Sequence, residues 1–536
     1  MRLAPLPLVP LVLAVLAVRP TAAPGAALGG GREEPEPPRA LVQLERWMGS
    51  FRRNGPESSP EDVKRLGALT SELRMIALAQ PEQRPGIVLA LLDLAGVRTA
   101  EEARAERHSP GRAPATPQTQ RIRTFGSREL ETLLDGDAEH ELAIWIAQQV
   151  LAGSDAPEER RLAALELLGD RHLEGTKLAL FGCAVASSPA VRAAAMDALV
   201  GWDDEGVHGF MLQQLRRLGS EPQWLSRVPI RRHFAATTLD PKSDSGRELL
   251  AWIDERILSA DWREAFRGLQ LVGALRDDPA VPTLIDALSA WIERRERGEG
   301  SRRIESEILR ELERRSGRRM GPHPERWAQW WSVAARPHGD AEEQGEQEAE
   351  TTWAGFFGLR PVTDRVVFVI DRSGSMDQHF GSREETRYSV AIDQMLGFLR
   401  ELGPTTRFRV VVFSDEPDAW KRRLMPATEA NLRSAERWLR YRSPKGGTYL
   451  RPAIREVMRL DANGEPDLRE LEADTVIVLC DGETTDREPE WVPELLAGPN
   501  ESAALAFHAV VIGTTPDGTL EALASGSGGD FVRVVP

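Results

Sequence analysis

The 536-residue sequence has only two cysteines, Cys183 and Cys480, and they stand in different parts of the chain. That excludes a scaffold stapled by disulfides and leaves two buried free thiols as the expectation. The sequence also lacks an excess of positive charge: 68 Lys and Arg face 83 Asp and Glu, for a net charge of −15. Affinity for nucleic acid comes largely from cationic contacts to phosphate, so a nucleic-acid binder is excluded. Beyond the first residues, no apolar run reaches the roughly 18 residues that a membrane span requires. None of the nine His sits in a His-Glu-x-x-His zinc pattern. Ser373 does not lie in a Gly-x-Ser-x-Gly nucleophile elbow. The Gly-rich Ser525-Gly-Ser-Gly-Gly529 lacks the strand and Lys context of a phosphate loop. An aspartyl-phosphate enzyme would want a second carboxylate two residues after Asp371, where this chain has Ser373.

What the sequence does contain falls into segments. Residues 1–23 read as a secretory signal: Arg2 gives a short positive region, Leu8 to Val18 an apolar core, and Thr21-Ala-Ala23 a cleavage site. The Pro residues at 5, 7 and 10 argue against a retained anchor. Residues 24–40, rich in Gly, Pro and Glu, read as a flexible leader. Residues 41–103 carry a helical pattern, with Val63, Leu66, Leu69, Leu73 and Ile76 on one face. Residues 104–127 read as a linker.

Residues 128–335 are helical in pattern throughout. Two breaks look alike, Ser188-Pro-Ala-Val-Arg192 and Asp278-Pro-Ala-Val-Pro282, and each opens a helix with an apolar stripe. This resembles HEAT-type helical repeats, an α-solenoid, although the irregular period also fits an irregular helical bundle. The block ends in Trp327-Ala-Gln-Trp330-Trp331, whose face is expected to serve core or interface packing. Residues 336–352 hold six acidic residues in the eleven from Asp340 and read as a solvated linker.

Residues 353–536 change character. Apolar strands at Val366–Asp371, Phe408–Ser414, Thr475–Asp481, Ala506–Gly513 and Phe531–Val535 alternate with helical runs at Tyr388–Leu402, Glu429–Tyr441, Tyr449–Leu460 and Trp491–Ala497. Alternation of this kind predicts a doubly wound, Rossmann-like α/β sheet. The expected whole is therefore multidomain, an all-α helical region followed by an α/β domain. Ligands of such sheets bind at the carboxyl ends of the strands, where Asp371 and Asp481 fall. Asp371 is followed by two alternating hydroxyls, Ser373 and Ser375, and hard oxygens of this kind suit a small divalent cation.

Asp371-Arg-Ser-Gly-Ser375 resembles the D-x-S-x-S motif of von Willebrand factor type A domains, the first part of their metal-ion-dependent adhesion site. Thr448 in Gly446-Gly-Thr448 and Asp481 in Asp481-Gly482 stand where that family has the second and third parts. The resemblance implies a Mg²⁺ site, with Mn²⁺ or Ca²⁺ as substitutes. Ser373, Ser375 and, in the ligand-bound form, Thr448 would bind through hydroxyls, and Asp371 and Asp481 mainly through waters. Neutral hydroxyls leave the ion short of negative charge, so it seeks a carboxylate from a partner protein. Any one of these residues alone would be a cap or turn former; the set together points to a metal. Gly374 and the Gly446-Gly447 pair are expected to let the backbone turn around the ion. Asp377, Asp415, Glu416 and Glu483 stand near the rim, with Lys445 as a partner for them. The chain ends after its last strand, without the final helix of many type A domains, which puts large conformational switching in doubt.

The layout resembles exported bacterial proteins that join such domains. It implies a secreted or periplasmic, non-enzymatic binding or scaffolding protein. An assembly or chaperone-linked factor of a larger complex is the alternative, and a metal-dependent hydrolase the third.

Overall fold

The computed structural model describes residues 36–334 and 357–534, apart from 56–59, 101, 103–115, 137–139, 154, 187, 218–222, 358, 360–362, 383, 463, 483, 487–490 and 513–517. The expected signal, the flexible leader up to residue 35 and the whole acidic linker, 336–352, lie outside the described residues.

The first part is helical. It begins with α1 (Arg39–Asn54), α2 (Pro60–Ala79), α3 (Arg84–Ala95), α4 (Pro117–Asp135) and α5 (Glu141–Ile146), the last extended by a π-turn at Ala147–Leu151. It continues through α6 (Glu158–Gly169), α7 (Lys177–Ala184), α8 (Pro189–Ala198), α9 (Glu205–Arg217) and α10 (Gln223–Ala236). It closes with α11 (Asp244–Ile257), α12 (Trp262–Val272), α13 (Asp277–Glu296), α14 (Arg302–Ser316) and α15 (Pro324–Ala334). The caps are written in the sequence. Ser188 accepts a bond from Val191 N–H, Ser243 from Gly246 N–H and Asp261 from Arg263 N–H, each relieving an orphan donor of the first turn. Trp327 is fully buried on α15, which packs against α13, and meets Trp330 edge to face.

One expectation is corrected here. The stretch 104–127 is not wholly a linker, because α4 begins at Pro117 inside it. Thr116 caps this helix by accepting from Thr119 N–H, and Pro117 takes the first-turn position where its missing N–H costs nothing. Gly126, which reads as a loop residue, is there for contact. A Cβ at that position would meet the Leu91 carbonyl oxygen at 2.6 Å, so α4 lies almost backbone to backbone on α3.

The second part is a seven-stranded sheet. Its strands are β1 (Arg365–Asp371), β2 (Arg407–Phe413), β3 (Pro417–Ala419), β4 (Met425–Pro426), β5 (Thr475–Cys480), β6 (Ala506–Ile512) and β7 (Phe531–Val534). The order is β3-β2-β1-β5-β6-β7, with β4 also on β2. β2, β1, β5, β6 and β7 are parallel, while β3 and β4 form a short antiparallel edge that the sequence did not announce. The alternation of β1 sends Val367 and Val369 to one face and Val366, Phe368 and Ile370 to the other. Each face is covered by helices, with Leu450, Ile454, Trp491 and Leu523 on the first and Ile392, Met395, Leu399 and Leu439 on the second. Burial on both faces, at about 1.5–3 kcal/mol for each large aliphatic side chain, is why the run is continuously apolar rather than alternating.

The two parts meet at the amino ends of the strands. Arg303 of α14 donates to the carbonyls of Asp474 and Ala504, just before β5 and β6. Arg263 donates to the Leu471 carbonyl, and Ala504 is itself part of the helical core. Arg303 is buried, and its guanidinium lies 4.5 Å from the Phe266 ring centre. A cation that deep is tolerable because carbonyls, ring faces and the Glu307 carboxylate, 4.0 Å away, replace its water.

Carboxyls cluster at the same junction. Burial pushes Glu305 of α14 up to about 7, despite its 3.2 Å ion pair with Arg295, and Asp364 adds to the shift from across the junction. Asp364 is pushed up to about 6, by burial first and then by the neighbouring charge of Asp474. Both groups hold protons more tightly in the folded chain than in the unfolded one. Their contribution is therefore fully present below about pH 4, near the ordinary carboxylate value, and is lost as pH rises toward 7. Urea denaturation between pH 4.5 and 7.5 should show that decline, and Asp364→Asn should flatten it; an unchanged slope in the variant would contradict this account.

Candidate metal centre

The carboxyl ends of β1 and β5 carry the site. The sheet buries Asp371 completely. The chain then turns through a 3₁₀ segment, Gly374–Asp377, and the Ser373 N–H donates to Asp371 Oδ1 at 2.7 Å. Ser373 makes no side-chain capping bond to this segment. Its Oγ instead lies 3.0 Å from Ser375 Oγ, so the two hydroxyls stand side by side. Oxygen atoms of Asp371 and Asp481 and the sulfur of Cys480 lie within 4.8 Å of one another.

A second loop is tied to the first through the backbone. Gly374 N–H donates to the Gly446 carbonyl at 3.1 Å, and Lys445 N–H to the Arg372 carbonyl at 2.8 Å. Thr448 follows, buried, two residues beyond Gly446. Its N–H donates to Thr485 Oγ1 at 3.0 Å, and its carbonyl accepts from Thr485 N–H at 2.8 Å. That pair of bonds locks the second loop to the third, which begins at Asp481. The helix after Thr448 is Leu450–Val457, α18 in chain order after α16 (Arg387–Leu402) and α17 (Glu429–Arg440).

The electrostatics favour a cation. Asp371 is pushed up to about 6, by burial first. The Ser373 N–H, the Cys480 thiol and the Ser373 hydroxyl pull it down, and the charge of Asp481 pushes it up. Cys480 Sγ donates to Asp371 Oδ2 at 3.1 Å, and burial and the adjacent carboxylate hold the thiol well above its ordinary value. The thiol is thus a hydrogen-bond donor to the site rather than a soft thiolate ligand. Among the described residues Asp481 pairs with Arg387, at the start of α16, at 3.4 Å. The donor set of carboxylates and neutral hydroxyls fits a hard divalent ion. When bound, such an ion supplies a positive centre with open coordination positions. The chain's own residues place Asp371, hold the Ser373–Ser375 hydroxyl pair and fix the three loops.

Of the residues expected around the rim, Asp377, Asp415 and Glu416 are exposed, and Glu483 lies outside the described residues. Asp415 does more than decorate the surface, since its Oδ1 accepts from Gly447 N–H at 2.8 Å and holds the second loop. The Lys445 side chain is exposed. Reading the sequence alone missed Cys480, Arg387 and Thr485. Cys480 could have been found from its position one residue before Asp481, at the end of a strand adjacent to β1.

The expectation for the glycines needs correction. Gly446 does sit at φ +83°, and a Cβ there would lie 2.5 Å from Asp415 Oδ2. Gly374 has no positive φ, and a Cβ there would meet nothing nearer than the Gly446 carbonyl oxygen at 3.8 Å. Gly446→Ala should therefore lower stability by about 1–3 kcal/mol in thermal or urea unfolding, while Gly374→Ala is close to neutral. Equal losses in the two variants would contradict the geometry.

Residues 364–532 match the family model described as the von Willebrand factor type A domain. The chain is 32% identical over 148 residues to inter-alpha-trypsin inhibitor heavy chain H1 of Mesocricetus auratus, covering 26% of this chain and 15% of that protein. It is 32% identical over 130 residues to heavy chain H4 of Homo sapiens, covering 24% of this chain and 13% of that one. The chain thus spans a small part of the curated relatives it matches. Among solved structures, a von Willebrand factor type A protein from Catenulispora acidiphila aligns with TM-score 0.27 and 18% identity, over 33% of this chain and 40% of that one. The RO (RSR) protein of Deinococcus radiodurans aligns with TM-score 0.21 and 13% identity, over 93% of this chain and 95% of that one. The family match falls on the strands and loops described above, so the C-terminal α/β unit of this chain matches a von Willebrand factor type A domain.

Proposed function

We propose that the chain is an exported binding or scaffolding protein whose type A domain captures an acidic group of a partner protein through Mg²⁺. The observation that carries this reading is the hydroxyl pair Ser373–Ser375 beside the buried Asp371. Neutral ligands leave a bound divalent ion with charge to satisfy, and a carboxylate from outside satisfies it. The five residues of the site are Asp371, Ser373, Ser375, Thr448 and Asp481; Mn²⁺ or Ca²⁺ would serve in place of Mg²⁺. The amino-terminal Arg2 and the apolar Leu8–Val18 support export. No helix among the described residues is long and apolar enough to cross a membrane. The matched relatives are named as heavy chains of an inhibitor, which favours binding over catalysis. The helical region offers a second surface, and its firm docking on the far pole of the sheet suits a scaffold.

Affinity capture on the full chain, in Mg²⁺ and in EDTA, tests this reading. A protein partner should be retained with Mg²⁺, released by EDTA and lost with Asp371→Ala. The same partners held equally in EDTA would overturn it.

A further inference from the structure

A cavity of about 450 Å³ opens where the helical region meets the type A domain, far from Asp371. It is lined from α9 to α12 on one side and by Leu468 and Glu501 on the other. Five arginines and three carboxylates line it. The carboxylates are already engaged. Glu501 pairs with Arg231, Glu264 is shared between Arg256 and Arg267, and Asp261 caps α12 through the Arg263 N–H.

Arg263 is left over. Only 8% of its surface is exposed, and among the described residues no ion pair reaches its guanidinium. Its side chain stacks 4.5 Å from the Trp262 ring centre and donates one bond, to the Leu471 carbonyl. Its buried Nε has no acceptor, nor do Nε of Arg231 and Arg267, nor the indole N–H of Trp252, which is 7% exposed. Buried donors without acceptors are costly, and four of them gather around one cavity, although Arg216 and Arg256 of its lining are paired with Glu248 and Glu255 outside it. Burial pulls Arg263 down to about 10; Asp261 and Asp474 pull it back up, while Arg267 and Arg365 add to the fall.

We propose that this cleft is a binding site for a small organic anion bearing phosphate or carboxylate groups. Guanidinium groups present a planar fork that matches either oxyanion with two parallel bonds. The volume falls in the range that holds a small organic molecule, well beyond a single inorganic ion. Trp252, Ile230 and Leu271 provide apolar surface for the rest of such a ligand. Arg231, Arg263 and Arg267 also reach Glu501, the Leu471 carbonyl and the Ser502 carbonyl across the junction. A ligand held by these three side chains therefore fastens the helical region to the type A domain.

Calorimetry on the full chain, stripped of divalent ions with a chelating resin so that no soluble chelator is present, tests this with ADP, citrate and inorganic phosphate as probes. ADP or citrate should bind more tightly than inorganic phosphate and raise the melting temperature; which of the two is tighter identifies the oxyanion. Arg263→Gln should weaken binding at least ~10-fold. Arg231→Gln, at a site with a half-open side chain, should weaken it as well while the fold stays intact by circular dichroism. Absence of binding by all three probes, or equal binding by wild type and both variants, would overturn the proposal.

Discussion

Asp371 is an ionisable group at the end of a strand that has no access to water. The whole α/β domain bears on that placement. β1 is the central strand, flanked by β2 and β5, and covered on both faces by helices. The carboxyl group therefore loses its hydration and receives, among the described residues, the Ser373 N–H and hydroxyl and the Cys480 thiol in return. These donors do not replace water for a charge, and the acid is driven toward neutrality. A divalent cation beside it reverses that balance. The burial that penalises Asp371 alone makes the Asp371–Ser373–Ser375–Asp481 group suited to a metal, and the loops around it are tied by backbone bonds that keep the group assembled.

The sheet has two poles with opposite chemistry. At the carboxyl ends, acids and hydroxyls converge and the surface is open. At the amino ends, arginines of the helical region fill the carbonyls that precede β5 and β6. Arg303 is buried in that seam between rings and carbonyl oxygens, while Glu305 and Asp364 face each other across it. The helical region is thus fixed to the pole away from the candidate metal site. The arginine-lined cavity lies in the same seam, so any anion held there acts on docking and not on the metal loops directly.

Much of this was legible in the sequence. The strands announced themselves because burial on both faces demands unbroken apolar runs, and Asp371 and Asp481 ended two of them. The three site segments were readable because each pairs a short oxygen-bearing side chain with a strand end or a glycine turn. What was not legible depends on the third dimension. Cys480 reads as an ordinary buried thiol until β5 is placed beside β1. Gly126 reads as a loop residue until α4 is pressed on α3. β3 and β4 are too short to leave a periodic trace. Arg263 and Arg303 look like the solvated face of a helix; only the docked domain shows that both reach backbone carbonyls across the junction.

The central claim is that Asp371 and its neighbouring hydroxyls hold a divalent ion. Electron paramagnetic resonance titration of Mn²⁺ with the full chain, competed by Mg²⁺, measures this directly. The account predicts one Mn²⁺ bound per chain, displaced by Mg²⁺, and no bound signal in a folded Asp371→Ala variant; equal Mn²⁺ binding by that variant would contradict it.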